Sequence, residues 1–275
     1  MGTEGAFPET PTTRTSPFAR LPPEIVKMII ACLAYDTPSL RACSLTCYSW
    51  YIVTVPHLHY KLYIGDFWGQ KYQWPNPLHH MHALGLLPFV RTFWVRNDPF
   101  SQKQFNRRTI NQFSTLTNVR RLMILSLDIP SFIPNIRRYF GHFLPSIREL
   151  SLREPKGSPR QIIYFIGLFQ HLEDLELVCG RPYFQEEQAD DLTLTPPFVP
   201  PLRGRLKLWS FRRVCLLKGM VDLLEGIRFR QMELFDVDGM PLLLDACANT
   251  LETLMLYPTD PRGEQLPPKG GRTFN

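Results

Sequence analysis

The sequence predicts an α+β protein: a small N-terminal unit of three helices, followed by an irregular α/β repeat solenoid built on a parallel sheet. Three observations carry this reading. Apolar residues between Leu21 and Trp50 recur at helical spacing and are punctuated by helix starts and breaks. From Phe89 to about Pro258 a short template, Φ-x-x-Φ-x-Φ with Φ apolar, returns at near-regular intervals. At 275 residues and 44% hydrophobic, the chain has enough apolar side chain for one small and one larger core.

Residues 1–17 are Thr/Pro-rich with almost nothing apolar and read as a disordered tail. The first helix opens on Leu21-Pro22-Pro23-Glu24, where proline suits the first turn and glutamate complements the positive end of the helix dipole. Ile25, Met28, Ile29, Cys32 and Leu33 then form an apolar stripe that Ala31 widens. Tyr35-Asp36-Thr37 breaks the run. Thr37 is placed to cap a second helix that starts at Pro38 and carries Leu40, Cys43, Ser44 and Thr46-Cys47; Trp50 closes the unit on a third segment. Three helices in so few residues enclose little core, so the unit needs a partner over its remaining apolar face.

The pattern LPPEI…II..L……L….L….W, trailed by Pro56-His57-Leu58-His59, resembles an F-box, the helical module that docks on the Skp-family adaptor of cullin–RING (SCF) ubiquitin ligases. The resemblance implies a box over residues 18–64. It also implies adaptor-facing or box-core roles for Leu21, Pro22, Ile25, Ile29, Ile30, Leu40 and Trp50, and a substrate receptor whose remaining chain holds an unknown protein target. Thr46, Tyr48 and a long Leu33–Leu40 loop depart from the usual pattern.

Residues 65–88 read as a connection with a helix over Pro77–Leu87. His79-His80-Met81-His82, like His57 and His59, lacks a carboxylate or cysteine at ligand spacing and reads as a solvated polar turn; no metal and no other cofactor is expected. The repeats follow. Their second apolar positions, Phe93, Leu122, Leu150, Leu175, Leu206, Met232 and Leu254, are separated by 29, 28, 25, 31, 26 and 22 residues. Periods of ~20–29 residues are those of leucine-rich repeats, with one strand and one helix each. The long step holds Arg181–Pro201, whose Glu186-Glu187 and Asp190-Asp191 read as a solvated loop insertion rather than an acid/base pair.

Helices are expected where Ser158-Pro159 caps Ile162, Ile163, Phe165, Ile166 and Phe169, at Leu216–Ile227, and at Pro241–Asn249 with a left-handed end at the asparagine. The asparagine that regular repeats carry after each strand is replaced by Leu127, Pro155, Gly180, Val237 and Thr259, so their stitching side-chain ladder is missing and the solenoid is expected to be irregular. This resembles fungal-type F-box proteins with divergent leucine-rich repeats. Residues 259–275 read as a disordered tail, and with only a Pro/Gly-rich stub after Leu254-Met255-Leu256, either a truncated end or an exposed last strand is expected.

Function follows by exclusion as well as by resemblance. There is no Gly-rich phosphate loop, no His-Glu-x-x-His and no Gly-x-Ser-x-Gly turn, so no catalytic residues are assigned. The six cysteines lie in no disulfide or metal spacing and read as reduced, mostly buried thiols of an intracellular protein, cytoplasmic or nuclear. No apolar run approaches the ~18 residues of a membrane span. The net charge of +6 and the pairs Arg107-Arg108, Arg120-Arg121, Arg137-Arg138 and Arg212-Arg213 raise nucleic acid as a partner, but they fall on different elements and do not build one groove. A scaffold that binds the adaptor without delivering a target for degradation is the other alternative. Within the repeats, the position after each strand's last core residue reads Leu125, Arg153, Val178, Trp209, Phe235 and Tyr257. Neighbouring parallel strands lie ~4.8 Å apart, so Trp209, Phe235 and Tyr257 are expected to form a contiguous target-binding strip bordered by Arg205, Lys207, Gln231 and Glu233.

Overall fold

The computed structural model describes residues 21–64, 77–96, 113–179, 203–211, 214–223, 228–257 and 272–274. The tail at 1–17, the acid run at 186–191 and residues 258–271 lie outside them. The chain divides after Leu58 into two compact units.

The first unit holds α1 (Pro23–Cys32), α2 (Thr37–Ser44) and α3 (Tyr48–Leu58). Its core is the cluster Val26, Ile30 and Leu40, with Leu21, Leu33, Cys43, Trp50, Val53 and Leu58 packed around it. The inward seam of α1 is therefore Val26 and Ile30, one turn apart. Of the expected stripe, Ile25 and Met28 face solvent, at 41% and 65% exposure, and Cys32 is exposed. In a helix that is apolar on two adjacent faces, periodicity does not decide which one turns inward. The cap of α2 is Asp36, not Thr37: its carboxylate accepts from the Ser39 backbone N–H at 3.3 Å and from the Ser39 hydroxyl at 2.5 Å. Those two hydrogen bonds hold the Asp36 pKa below the ordinary carboxylate value. In α3, Thr54 is fully buried and donates its hydroxyl to the Trp50 carbonyl at 2.6 Å.

The second unit is one sheet whose strands stand in chain order: β1 (Lys61–Ile64), β2 (Thr92–Arg96), β3 (Arg121–Leu125), β4 (Glu149–Arg153), β5 (Asp174–Val178), β6 (Arg203–Phe211), β7 (Arg228–Val237), β8 (Thr253–Tyr257) and β9 (Arg272–Phe274). The first eight are parallel; β9 pairs antiparallel with β8. Lys61–Ile64, at the end of the stretch read as the box, is thus the sheet's first strand. The outer edge of β8 is not left open as expected: Leu254, Met255 and Leu256 pair with Phe274, Thr273 and Arg272.

Helices lie in the connections: α4 (Pro77–Ala83), α5 (Ile129–Phe140), α6 (Pro159–Gly167), α7 (Val214–Leu223) and α8 (Met240–Cys247). The sequence reading missed α5, whose span includes Pro134, a residue that normally breaks helix interiors. It also extended α4 and α8 too far, and it put the left-handed residue at the wrong end of α8; the last four residues of the expected Leu216–Ile227 helix lie outside the described residues. Gly239, at φ 77°, precedes that helix, and its C-cap Ala248 is right-handed. The cap of α6 is as expected: Ser158 and Gln161 form a reciprocal capping box at 2.9 and 3.3 Å.

The repeat template is realised residue by residue in the strand register. Phe93, Leu122, Leu150, Leu175, Leu206, Met232 and Leu254 pair in one row across the sheet. Val95, Ile124, Leu152, Leu177, Leu208, Leu234 and Leu256 make the next. Except on β8, whose members are half-buried, these rows are almost fully buried. Against their first strands sits a phenylalanine cluster. Phe93 meets Phe113, Phe140 and Phe143 edge-on at 5.7–6.0 Å, and Phe132 of α5 bridges Phe140 to Phe165 of α6. This is the core of the unit.

Stitching between turns does not need the missing asparagines. The entries to β2, β3, β4 and β5 are each pinned by one main-chain carbonyl that accepts two N–H groups from the next turn: Tyr60 from Arg91 and Thr92, Arg91 from Arg120 and Arg121, Arg120 from Arg148 and Glu149, Arg148 from Glu173 and Asp174. A second set of side chains, each just before a template, reaches back to the preceding turn: Asn118 to the Pro88 carbonyl at 2.8 Å, Ser146 to Val119 at 2.7 Å, Thr250 to Phe229 at 3.2 Å. Of the positions where asparagine is missing, Leu127 and Pro155 are buried. One approach is very close: a Cβ at Gly204 (φ +106°) would fall 2.0 Å from the Glu173 carbonyl oxygen, so only glycine lets β6 enter there beside β5.

Candidate functional site

Two surfaces, one on each unit, stand out. On the helical unit the inward seam takes Val26, Ile30, Leu40 and Val55, and large apolar side chains remain outside. Ile25, Met28, Tyr35, Leu45, Tyr48, Tyr51 and Ile52 are between 41% and 96% exposed. Water around so much apolar surface is unfavourable, and cover by another protein would relieve it. Among the residues assigned to adaptor contact, Pro22 and Ile25 are exposed, while Leu21, Ile29 and Trp50 are half-buried. Ile30 and Leu40, at 0% and 1%, belong to the core; they support the surface rather than form it.

On the sheet, strand alternation sends the core rows one way and three further rows to the opposite, outer face. The row after the core residues runs Arg96, Leu125, Arg153, Val178, Trp209, Phe235 and Tyr257 in register. Trp209, Phe235 and Tyr257 thus stand side by side on one face, each half-buried, and their rings touch. Trp209 lies 5.6 Å from Phe235 and 5.6 Å from Tyr257, nearly parallel to the latter at 23°. A second aromatic pair occupies the far end of the same face, Tyr63 of β1 against Trp94 of β2 at 5.4 Å.

Between them lies a ladder of charges. Arg121 reaches Glu149 at 3.5 Å and Glu176 at 3.7 Å; Arg153 reaches Glu176 at 3.0 Å. Arg205 grips Asp174 with two hydrogen bonds, at 2.7 and 3.2 Å, and also faces Glu233, which Lys207 approaches to 2.9 Å. Hydrogen bonding to Asp174 is the main reason that the Arg205 pKa is raised, against partial burial. Ser151, the smallest side chain in its row, leaves a hollow of about 80 Å³ walled by Arg121, Glu149, Asp174, Glu176, Arg205 and Lys207. That is well below the ~300 Å³ of a small-molecule site.

The sequence reading found the Trp209–Phe235–Tyr257 strip and named Arg205, Lys207 and Glu233 as its border. It missed Tyr63–Trp94, because β1 lies before the first template, and the continuous ladder, although its residues stand between template positions that the register lines up.

The other candidates separate. His79, His80 and His82 lie exposed on a helix rather than in a turn, and no three His, Cys, Asp or Glu among the described residues could hold a metal ion. Burial, and secondarily His80, pushes the His59 pKa down. Of the arginine pairs, Arg121 belongs to the ion ladder, Arg137-Arg138 sit on α5, and the pairs at 107–108 and 212–213 lie outside the described residues. Cys179 and Cys247 are buried as expected; Cys32 and Cys47 are exposed. No helix among the described residues is long and apolar enough to cross a membrane.

The small core and large apolar exterior of the helical unit find their counterpart in one comparison. Residues 18–65 match the F-box-like family. No curated protein matches the chain. F-box domains bind Skp-type adaptors, and an F-box-like domain here gives the chain a role in protein–protein interaction. The match covers α1–α3 and β1 and so includes every exposed apolar residue named above for the helical unit.

Proposed function

We propose that the protein is the substrate-recognition subunit of an SCF ubiquitin ligase. Its F-box-like domain docks on a Skp-family adaptor and through it a cullin, and the outer face of the sheet holds a target protein. The observation that carries the reading is the F-box-like match on a unit that leaves seven large apolar side chains in water. Ile25, Pro22 and the half-buried Leu21, Ile29 and Trp50 make the adaptor contact, and Trp209, Phe235 and Tyr257 the target contact. The sheet unit is a divergent leucine-rich-repeat solenoid of the fungal F-box type, supported by the template residues pairing in register across seven strands. The chain binds rather than catalyses, and it works inside the cell, where its thiols stay reduced and the ligase supplies the ubiquitin chemistry.

The test is a pull-down of a purified Skp-family adaptor by the full chain. Burying an Ile side chain is worth ~1.5–3 kcal/mol, and a charge at the same place costs more, so Ile25→Asp should abolish binding. Binding at the wild-type level by that variant would refute adaptor docking through this face. Co-purification of a cullin and a shortened target lifetime separate a ligase receptor from a scaffold that delivers nothing.

A further inference from the structure

We infer that the segment recognised by the outer face of the sheet is neutral and apolar, anchored by an aromatic or aliphatic side chain on Trp209, Phe235 and Tyr257, and bound without phosphate. The inference rests on the reading above that this face receives the target.

Charge bookkeeping on the face leads to it. Recognition of a phosphorylated or acidic segment uses guanidinium or ammonium groups left over to grip the incoming oxyanion. Between β3 and β7 the three outer rows carry Arg121, Arg153, Arg205 and Lys207, and each is already within 3.8 Å of a carboxylate on a neighbouring strand. Four carboxylates, Glu149, Asp174, Glu176 and Glu233, match the four cations, so the ladder itself has no net charge to offer.

The pairs are also hard to open. Glu176 and Glu233 have side chains only 14% and 8% exposed, and each holds two cations. A phosphate that drew Arg205 away would strip Asp174 of both its guanidinium hydrogen bonds and leave Glu233 with Lys207 alone. The carboxylates are equally engaged, which disfavours a basic segment by the same argument. What the face has left beside the ladder at this end is the aromatic strip, whose three rings are half-buried and continuous with Val178 on the next strand. Rings exposed in this way gain by covering with apolar surface, and a paired ladder alongside penalises an unpaired charge of either sign.

Random peptides displayed on phage, selected on the full chain at low and at high salt, give the probes. Those enriched are then synthesised with and without phosphoserine. The expected peptides carry an aromatic or large aliphatic residue and no net charge, bind alike at both salt concentrations, and lose about tenfold or more in affinity to Trp209→Ala. Removing one ion pair whole, as Arg205→Gln with Asp174→Asn, should leave their binding within about twofold. Tyr257→Ala replaces Trp209→Ala if the latter fails to keep the wild-type melting temperature. Enrichment of acidic peptides, or tighter binding of phosphopeptides that weakens with salt and with loss of the Arg205–Asp174 pair, would overturn the inference while leaving the face as the target site. Peptides that bind the strip variants and the ladder variant as tightly as wild type would overturn the assignment of the face itself, and the inference with it.

Discussion

The helical unit and the sheet unit solve the same problem, burying apolar side chains, with unequal means. The first closes on three residues, Val26, Ile30 and Leu40. The second stacks repeats whose paired rows cross from β1 to β8, with a phenylalanine cluster against them. Among the described residues, seven of the nine large hydrophobics that remain exposed belong to the helical unit, the other two being Tyr63 and Leu84. Surface-to-volume scaling accounts for the difference, because a unit of three short helices has too little interior for its apolar residues. The small unit is therefore built to be finished by a partner. The sheet unit buries its own core rows, and under the proposed function its other face is left for the target.

That contrast can be broken most sharply at the sheet core. Phe140 touches Phe93, Phe113, Phe132 and Phe143, so Phe140→Ala should cost about 3–5 kcal/mol, read as a drop in the urea midpoint of the sheet unit. Adaptor binding by the same variant should persist; if it vanished, the two units would not be separate in stability. The reciprocal change is Ile30→Ala, fully buried in the small core. We expect about 2–3 kcal/mol, toward the lower end for such truncations, because so small a unit relaxes around the gap. Thermal melting should then show the helices loosening and adaptor binding failing, with the sheet transition unmoved.

Smaller effects sharpen the picture. Ser158→Ala removes half of a capping box and should cost about 1 kcal/mol of sheet-unit stability, measurable as a shift in the denaturant midpoint, and Ser158→Thr should recover most of it. Acid should act on both units for different reasons. His59 and His142 have folded pKa values depressed mainly by burial. Their neutral rings are favoured in the fold, so their contribution is present above the ordinary histidine pKa and is lost as pH falls through the folded value. His142 makes its ring nitrogen a donor to the Phe113 carbonyl, which offsets part of this. The Asp36 pKa is also depressed, by hydrogen bonds from Ser39, and its cap weakens only as pH falls through the carboxylate range. A stability titration should therefore show the sheet unit softening as pH falls below the ordinary histidine value, and the helical unit only in stronger acid. His59→Gln with His142→Gln should remove the first step.

What was legible in the chain was its periodicity, because periodicity is a local property. Alternation at Phe93-x-Val95 and its successors dictates strands with one apolar face, and equal repeats of that pattern dictate that the faces align. The register followed from the template alone, and with it the adjacency of Trp209, Phe235 and Tyr257. The helix start at Leu21-Pro22-Pro23-Glu24 and the Ser158 cap were readable for the same reason, since each depends on residues within one turn. Choices between locally equivalent options belonged to the tertiary structure. Only packing decided that α1 turns Val26 and Ile30 inward and leaves Ile25 and Met28 outside, since both faces are apolar. Only the tertiary context let α5 form across Pro134. Only strand pairing joined Arg121, Glu149, Asp174, Glu176, Arg205, Lys207 and Glu233 into one ladder: charges far apart in sequence cancel when cross-strand distances bring each within reach of its opposite.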